Sequence, residues 1–183
     1  MDLRMVKTRN QIKAAFLALR ERCMPDKIKV KDLCEVAMIN KTTFYNHYAD
    51  SNELSNEIDE NAIDMVLSDF SEQDKLLEDP KAYVTGLFHA LERESAHLNR
   101  VFRGKQEVLC IKLEERLQSI CSRTGESPEE KMKMSFAIGG FCRVVRDYLL
   151  ANTKYSIDQL VETTTHLVEA LLQRTPTPTK AST

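Results

Sequence analysis

Between Val30 and Leu54 the helical spacing of apolar residues is interrupted twice, each time by a residue suited to cap a helix. Val30, Leu33, Val36 and Ala37 share one helix face, which predicts a short helix over 30–37 with those four side chains inward. Met38-Ile39-Asn40 follows, and Asn40 can cap a second short helix over 41–48. Asp50-x-x-Glu53 reads as a capping box opening a longer helix to about Phe70. Helices this short are not stable alone, so they must pack on each other and on a helix upstream. That helix is predicted over Thr8–Arg22, with Thr8-x-x-Gln11 as a capping box. Ile12, Ala15, Phe16, Leu19 and Cys23 form its apolar face, and Met24-Pro25-Asp26 ends it. Short helices joined by tight turns and followed by a long one form a helix-turn-helix arrangement.

Residues 71–80 are polar, end in Asp79-Pro80 and read as a loop. Helical patterns resume over Lys81–Arg103, with a break near Glu94–Ser95, and after Gly104 over Gln106–Arg123. Thr124-Gly125-Glu126-Ser127-Pro128 is a turn in which Ser127 caps and Pro128 opens a helix to about Asn152. A last helix spans about Ser156–Arg174, and the Thr/Pro-rich tail 175–183 is expected to be disordered. Only five Gly and five Pro among 183 residues argue against a turn-rich β fold. The fold class is therefore all-α with about nine helices: a three-helix helix-turn-helix domain over 1–55, a helical bundle over 56–174, and the tail.

Charge is unevenly placed. Residues 1–49 hold ten Lys or Arg against five Asp or Glu, whereas the remaining 134 hold 16 against 23, for an overall net of −2. A basic module on an acidic body suits an anionic partner at one end, although a merely solvated basic face would look the same. Double-stranded DNA is the partner the helix-turn-helix suggests. Lys41, Thr42, Thr43 and Asn46, at the start of the second short helix, match the side chains that read base edges in the major groove. Tyr45, His47 and Tyr48 are placed to reach phosphates, and Lys29 and Lys31 to reach phosphates or an outer base. Leu33, Val36, Ala37, Ile39, Phe44 and Leu54 read as core, and Tyr48 suits core as well as contact.

The gap-free run Val30–Leu54 resembles the tetracycline-repressor (TetR) family. Thr43, Phe44, Tyr45, His47, Tyr48, Asp50, Glu53 and Leu54 fall in register with the family's recognition helix and its entry to helix 4, and with Phe16 upstream the resemblance covers about residues 5–56. It implies a homodimeric transcriptional regulator of near-palindromic operator DNA, a repressor relieved by a small-molecule effector. Three positions depart from the pattern. Met38 stands where the family has a turn Gly, Ser51 where it has a phosphate-gripping Lys, and Lys29 where it has a Ser or Thr cap. These departures leave room for an alternative, a TetR-like co-activator working through protein or ligand contacts with weakened DNA binding.

The family's second part is a ligand-binding and dimerisation domain. Phe136-Ala-Ile-Gly-Gly-Phe-Cys142, with Val144, Val145, Tyr148, Leu149 and Leu150, makes one helix apolar nearly all round, which predicts burial on more than one side. Gly139 and Gly140 would permit close helix approach, and Arg143 can pair with Asp147. Ile157, Leu160, Val161, Thr164, Leu167, Val168, Leu171 and Leu172 stripe the last helix. Helices 128–152 and 156–174 from two chains would form a four-helix homodimer interface, or else the core of a monomer. Tyr83, Phe88, His89, Phe102, Leu109, Cys110 and Leu113 are candidate linings of an effector pocket, or plain core.

Other classes find less support. No nucleophile–base pair, phosphate loop or metal-ligand spacing stands out, and His89 and His97 alone do not suggest an enzyme. No cofactor or metal is expected. Cys110 and Cys121 sit on one helix face but too far apart to bridge. The five scattered cysteines read as reduced thiols, Met1–Arg22 has no signal-peptide character, and Phe136–Cys142 is too short to span a bilayer. The expected location is the cytoplasm, with no membrane partner.

Overall fold

A computed structural model describes residues 3–70, 76, 78–122, 126–149 and 154–172. Among them are nine α-helices and no strand: α1 (Leu3–Arg20), α2 (Val30–Val36), α3 (Lys41–Tyr45), α4 (Ser51–Leu67), α5 (Pro80–Arg93), α6 (Ser95–Val101), α7 (Gln106–Cys121), α8 (Pro128–Leu149) and α9 (Ile157–Leu172). Short 3-10 turns lie at Pro25–Lys27 and Ser68–Phe70. The expected tail 175–183, Leu150 and the ends of the last two helices lie outside the described residues, as do Thr124-Gly125 and 71–75 of the expected loop.

The chain forms two compact units: Met1–Asp69 with Ala90–Leu113, and Phe70–His89 with Glu114–Thr183. The core of the first gathers Ile12 and Phe16 of α1, Leu33 of α2, Phe44 of α3, Leu54, Ile58 and Ile63 of α4, and Leu98 and Val101 of α6. Polar ties reinforce it. The buried Arg20 guanidinium donates to the carbonyls of Cys23 (2.9 Å), Val101 (3.2 Å) and Arg103. The Lys105 ammonium donates to Ser55 Oγ at 3.1 Å and to both oxygens of buried Asp59 at 2.6 Å. Burial works against both charges, pushing Asp59 up and Lys105 down, and their mutual hydrogen bond opposes it. Gly104 ends the α6 region at φ +72, a conformation that calls for glycine, whereas the nearest atoms to an added Cβ belong to the flexible, exposed end of Met24.

In the second unit Tyr83, Val84, Leu87 and Phe88 of α5, Leu117 and Cys121 of α7, and Ile138, Phe141 and Cys142 of α8 are buried with Leu160 and Val168 of α9. Phe88 meets Phe141 edge-on at 5.2 Å. Caps set the helix starts: Asp79 Oδ1 accepts from Ala82 N at 2.9 Å with Pro80 in the first turn, and Ser127 and Ser156 form capping boxes with Glu130 and Gln159.

Two local expectations need correction. Thr8 does not cap α1, which begins at Leu3. Its hydroxyl donates to the Arg4 carbonyl within the helix. Val36 is 46% exposed, and Cys34 takes the inward position instead. The α8 helix buries one face within this chain and leaves Met132 and Phe136 70% and 74% exposed. Among the described residues of this chain no helix is drawn close to α8 at its glycines: a Cβ on Gly139 would meet only Glu114 Oε1, at 3.9 Å, and one on Gly140 nothing within 4 Å. The Arg143–Asp147 pair forms, at 3.0 Å.

Candidate nucleic-acid interface

The turn between α2 and α3 is set by backbone hydrogen bonds. Ile39 N donates to Cys34 O at 3.0 Å and Met38 N to Glu35 O at 3.3 Å, the pattern of a Schellman helix ending. That ending requires a left-handed residue, and here it is Met38, at φ +51. Its side chain is 88% exposed, so no packing compensates the backbone strain. Lys29 precedes α2 in an extended conformation without a side-chain cap bond. Lys31 is exposed, 3.8 Å from Glu35 on the same helix.

Asn40 caps α3 as its type predicts: Oδ1 accepts from Thr43 N at 2.7 Å. The helix ends at Tyr45, three residues short of expectation, because His47 N and Tyr48 N both turn back to the Phe44 carbonyl. Asp50 Oδ1 then accepts from Asn52 N and Glu53 N, each at 2.8 Å. Glu53 reaches back to Ala49 N, one residue before the cap. Ser51 stands half-exposed at the first position of α4.

The two caps and the aromatic anchors decide which side chains of α3 face out. Phe44 and Tyr48 are buried, 5.9 Å apart ring to ring. Lys41, Thr42, Tyr45 and Asn46 are exposed, and Thr43 and His47 are half-buried. The site residues read from sequence thus fall into two groups. Lys29, Lys31, Lys41, Thr42, Thr43, Tyr45, Asn46 and His47 keep access to solvent, whereas Tyr48 lies in the core with its hydroxyl engaged.

That engagement was not visible in sequence. Arg9 of α1 lies over the Tyr48 ring, 5.1 Å from its centre, and donates to its hydroxyl at 3.2 Å. Arg9 also pairs with Glu57 of α4 at 2.7 Å, and Lys13 with the other Glu57 oxygen at 2.7 Å. Burial works against ionised Glu57, but the hydrogen bonds from Arg9, Lys13 and Tyr48 outweigh it and hold its carboxyl down to about 2. The Tyr48 hydroxyl is pushed up, first by burial and then by Glu57. The cluster ties α1 and α4 to the residue that ends the α3 turn. A short helix with cationic, hydroxyl and amide groups outward, held on a rigid apolar base, can donate to and accept from base edges and phosphates.

The candidate pocket residues separate. Tyr83 lines an apolar cavity of about 40 Å³ in the second unit, with Leu87 of α5, Leu117 and Cys121 of α7, Met134 and Phe141 of α8, and Val168 of α9 among its walls. Phe88 is buried against Phe141, while His89 is exposed. Phe102, Leu109 and Leu113 are buried in the first unit, and Cys110 is half-buried there. The walls missed from sequence do repeat at helical spacing, as Val84 and Leu87 or Leu117 and Cys121 do, but that spacing marks any core face equally. Among the described residues no helix is long and apolar enough to cross a membrane, and no group of three or more His, Cys, Asp or Glu could hold a metal ion.

No protein-family model matches the chain, and no curated protein matches it. Among solved structures it is similar to a TetR transcriptional regulator from Streptococcus agalactiae 2603V, with a TM-score of 0.68 and 18% identity over 90% of this chain and 95% of that one. It is also similar to the dihydroxyacetone kinase operon activator DhaS, with a TM-score of 0.53 and 21% identity over 91% of this chain and 95% of that one. At such identities the likeness concerns the fold: the chain has the all-helical fold of TetR-type regulators.

Proposed function

We propose that this chain is a homodimeric transcriptional regulator that reads near-palindromic operator DNA through α3, and a repressor released when a small molecule enters its helical body. The observation that carries the reading is the Asn40-capped α3, with Lys41, Thr42 and Asn46 exposed over the buried Phe44. The basic character of residues 1–49 supports it. The homodimer is supported by the exposed face of α8, where Met132, Phe136 and Gly140 follow at four-residue intervals, and by Leu167 of α9, 61% exposed. A two-fold dimer presents two α3 helices to two half-sites. The cytoplasm is the compartment where such a regulator meets DNA.

An electrophoretic mobility shift with the DNA flanking its own gene tests this reading. Retention at low salt is expected, with affinity reduced by Lys41→Ala and by Asn46→Ala. Absence of any shift by the folded protein at low salt counts against it.

A second reading has its own observation. Val36, Met38 and Tyr45 expose apolar surface around the turn, and Ser51 supplies no charge. These features suit a co-activator that uses the helix-turn-helix for protein contact. Ser51→Lys separates the two: a DNA reader gains affinity and about one more unit of salt dependence, whereas a protein binder shows no DNA response.

A further inference from the structure

The apolar cavity of the second unit shares part of its wall with a second space. Cys121, Met134 and Ile138 line both the cavity and a wider groove of about 320 Å³ between the end of α7 and the start of α8. The two spaces differ in chemistry. In the cavity, Leu87, Leu117, Ala137, Phe141 and Val168 present carbon alone. The Tyr83 hydroxyl is committed to the Phe70 carbonyl at 3.2 Å. Burial keeps the Tyr83 phenol protonated, and burial with the charge of Glu126 pushes the Cys121 thiol up to about 11. An ion placed there would lose its hydration without a partner.

The groove carries Gln118, Ser122 and Ser135, which offer hydrogen bonds, and both Lys131 and Glu126. Opposite charges on one groove favour neither a bare anion nor a bare cation. The cavity, at about 40 Å³, corresponds to roughly three or four water-sized spheres, so it suits a stem of a few carbon atoms.

We propose that these adjoining spaces together bind one uncharged amphiphile, with a short apolar stem between Tyr83 and Phe141 and a hydrogen-bonding head in the groove beside Ser135. The inference rests on reading the chain as an effector-responsive regulator, and it gives that effector a chemical class and an orientation.

The full-length protein is titrated calorimetrically with pentanamide, 1-pentanol, pentanoate and pentylamine, and DNA retention is measured on the same preparation. Pentanamide or 1-pentanol is expected to bind at least tenfold tighter than either charged probe. Ala137→Leu, which fills the cavity, is expected to weaken the amide at least tenfold. Should that variant fail to fold, Val168→Ala gives the converse reading, with preference moving from pentanamide to heptanamide. Binding of pentanoate or pentylamine as tight as that of the amide overturns the proposal. So does an absence of binding by all four probes, an unchanged amide affinity in folded Ala137→Leu, or an unchanged chain-length preference in Val168→Ala. DNA retention without binding of either neutral probe overturns this inference and leaves the DNA reading standing. Amide binding without DNA retention upholds the site and sinks the DNA reading.

Discussion

Met38 shows how a single residue can oppose its own backbone. The Schellman ending of α2 needs a left-handed residue, and the Met38 side chain contributes no packing in return. Met38→Gly is therefore expected to stabilise the fold by about 1 kcal/mol, read from urea unfolding, with the turn unchanged. Glu57 sets a second expectation. Its carboxyl ionises at about 2 in the fold against an ordinary 4.5, so its contribution is complete above about pH 4.5 and is lost as the pH falls toward 2. Discounted for its 24% side-chain exposure, that contribution is on the order of 2 kcal/mol. Glu57→Gln should accordingly lower stability at pH 6 and converge with the parent protein near pH 2, as followed by unfolding at each pH. The two residues differ in legibility. Met38 was readable as a misfit because a turn is local, whereas Glu57 meets Arg9 from 48 residues away, and no spacing in the sequence links them.

Among elements, those with self-contained signals were legible. Asn40 and Asp50 cap α3 and α4 because a cap needs only its own next three residues. Thr8 carried the same local signal and misled, since the helix had already begun at Leu3 and its hydroxyl found the Arg4 carbonyl instead. The inward face of α2 was misread for a related reason: in a seven-residue helix, tertiary packing chooses between Cys34 and Val36. The buried pair of Lys105 and Asp59, which fastens α4 to the start of α7, left no mark in the sequence. Lys105→Ala would strand the Asp59 charge in the core, and an expected loss of about 3–5 kcal/mol should appear in thermal or urea unfolding. A loss below 1 kcal/mol would mean that water reaches Asp59.

For the whole molecule, the sequence pointed to an all-α chain with a helix-turn-helix near its start, and the structure has that fold. The apolar cavity was the least legible part, because apolar residues that line a void and those that fill a core share the same spacing. Tyr83 alone of the seven candidates lies on it. The α8 helix bears on the proposed dimer. Its Phe136 is 74% exposed on a helix rich in apolar residues, which suits a surface meant for a second copy. Phe136→Glu is expected to give monomers in analytical ultracentrifugation, with the helical circular dichroism kept and operator affinity sharply reduced.

Both the reading helix and the two-fold arrangement are tested together by selecting DNA from a random double-stranded pool at low salt. The expected result is an enriched inverted repeat with half-site centres about one helical turn, or a multiple of it, apart, and with base preferences relaxed by Asn46→Ala and Lys41→Ala. A folded protein that enriches no sequence over the starting pool would contradict the proposal that α3 reads DNA.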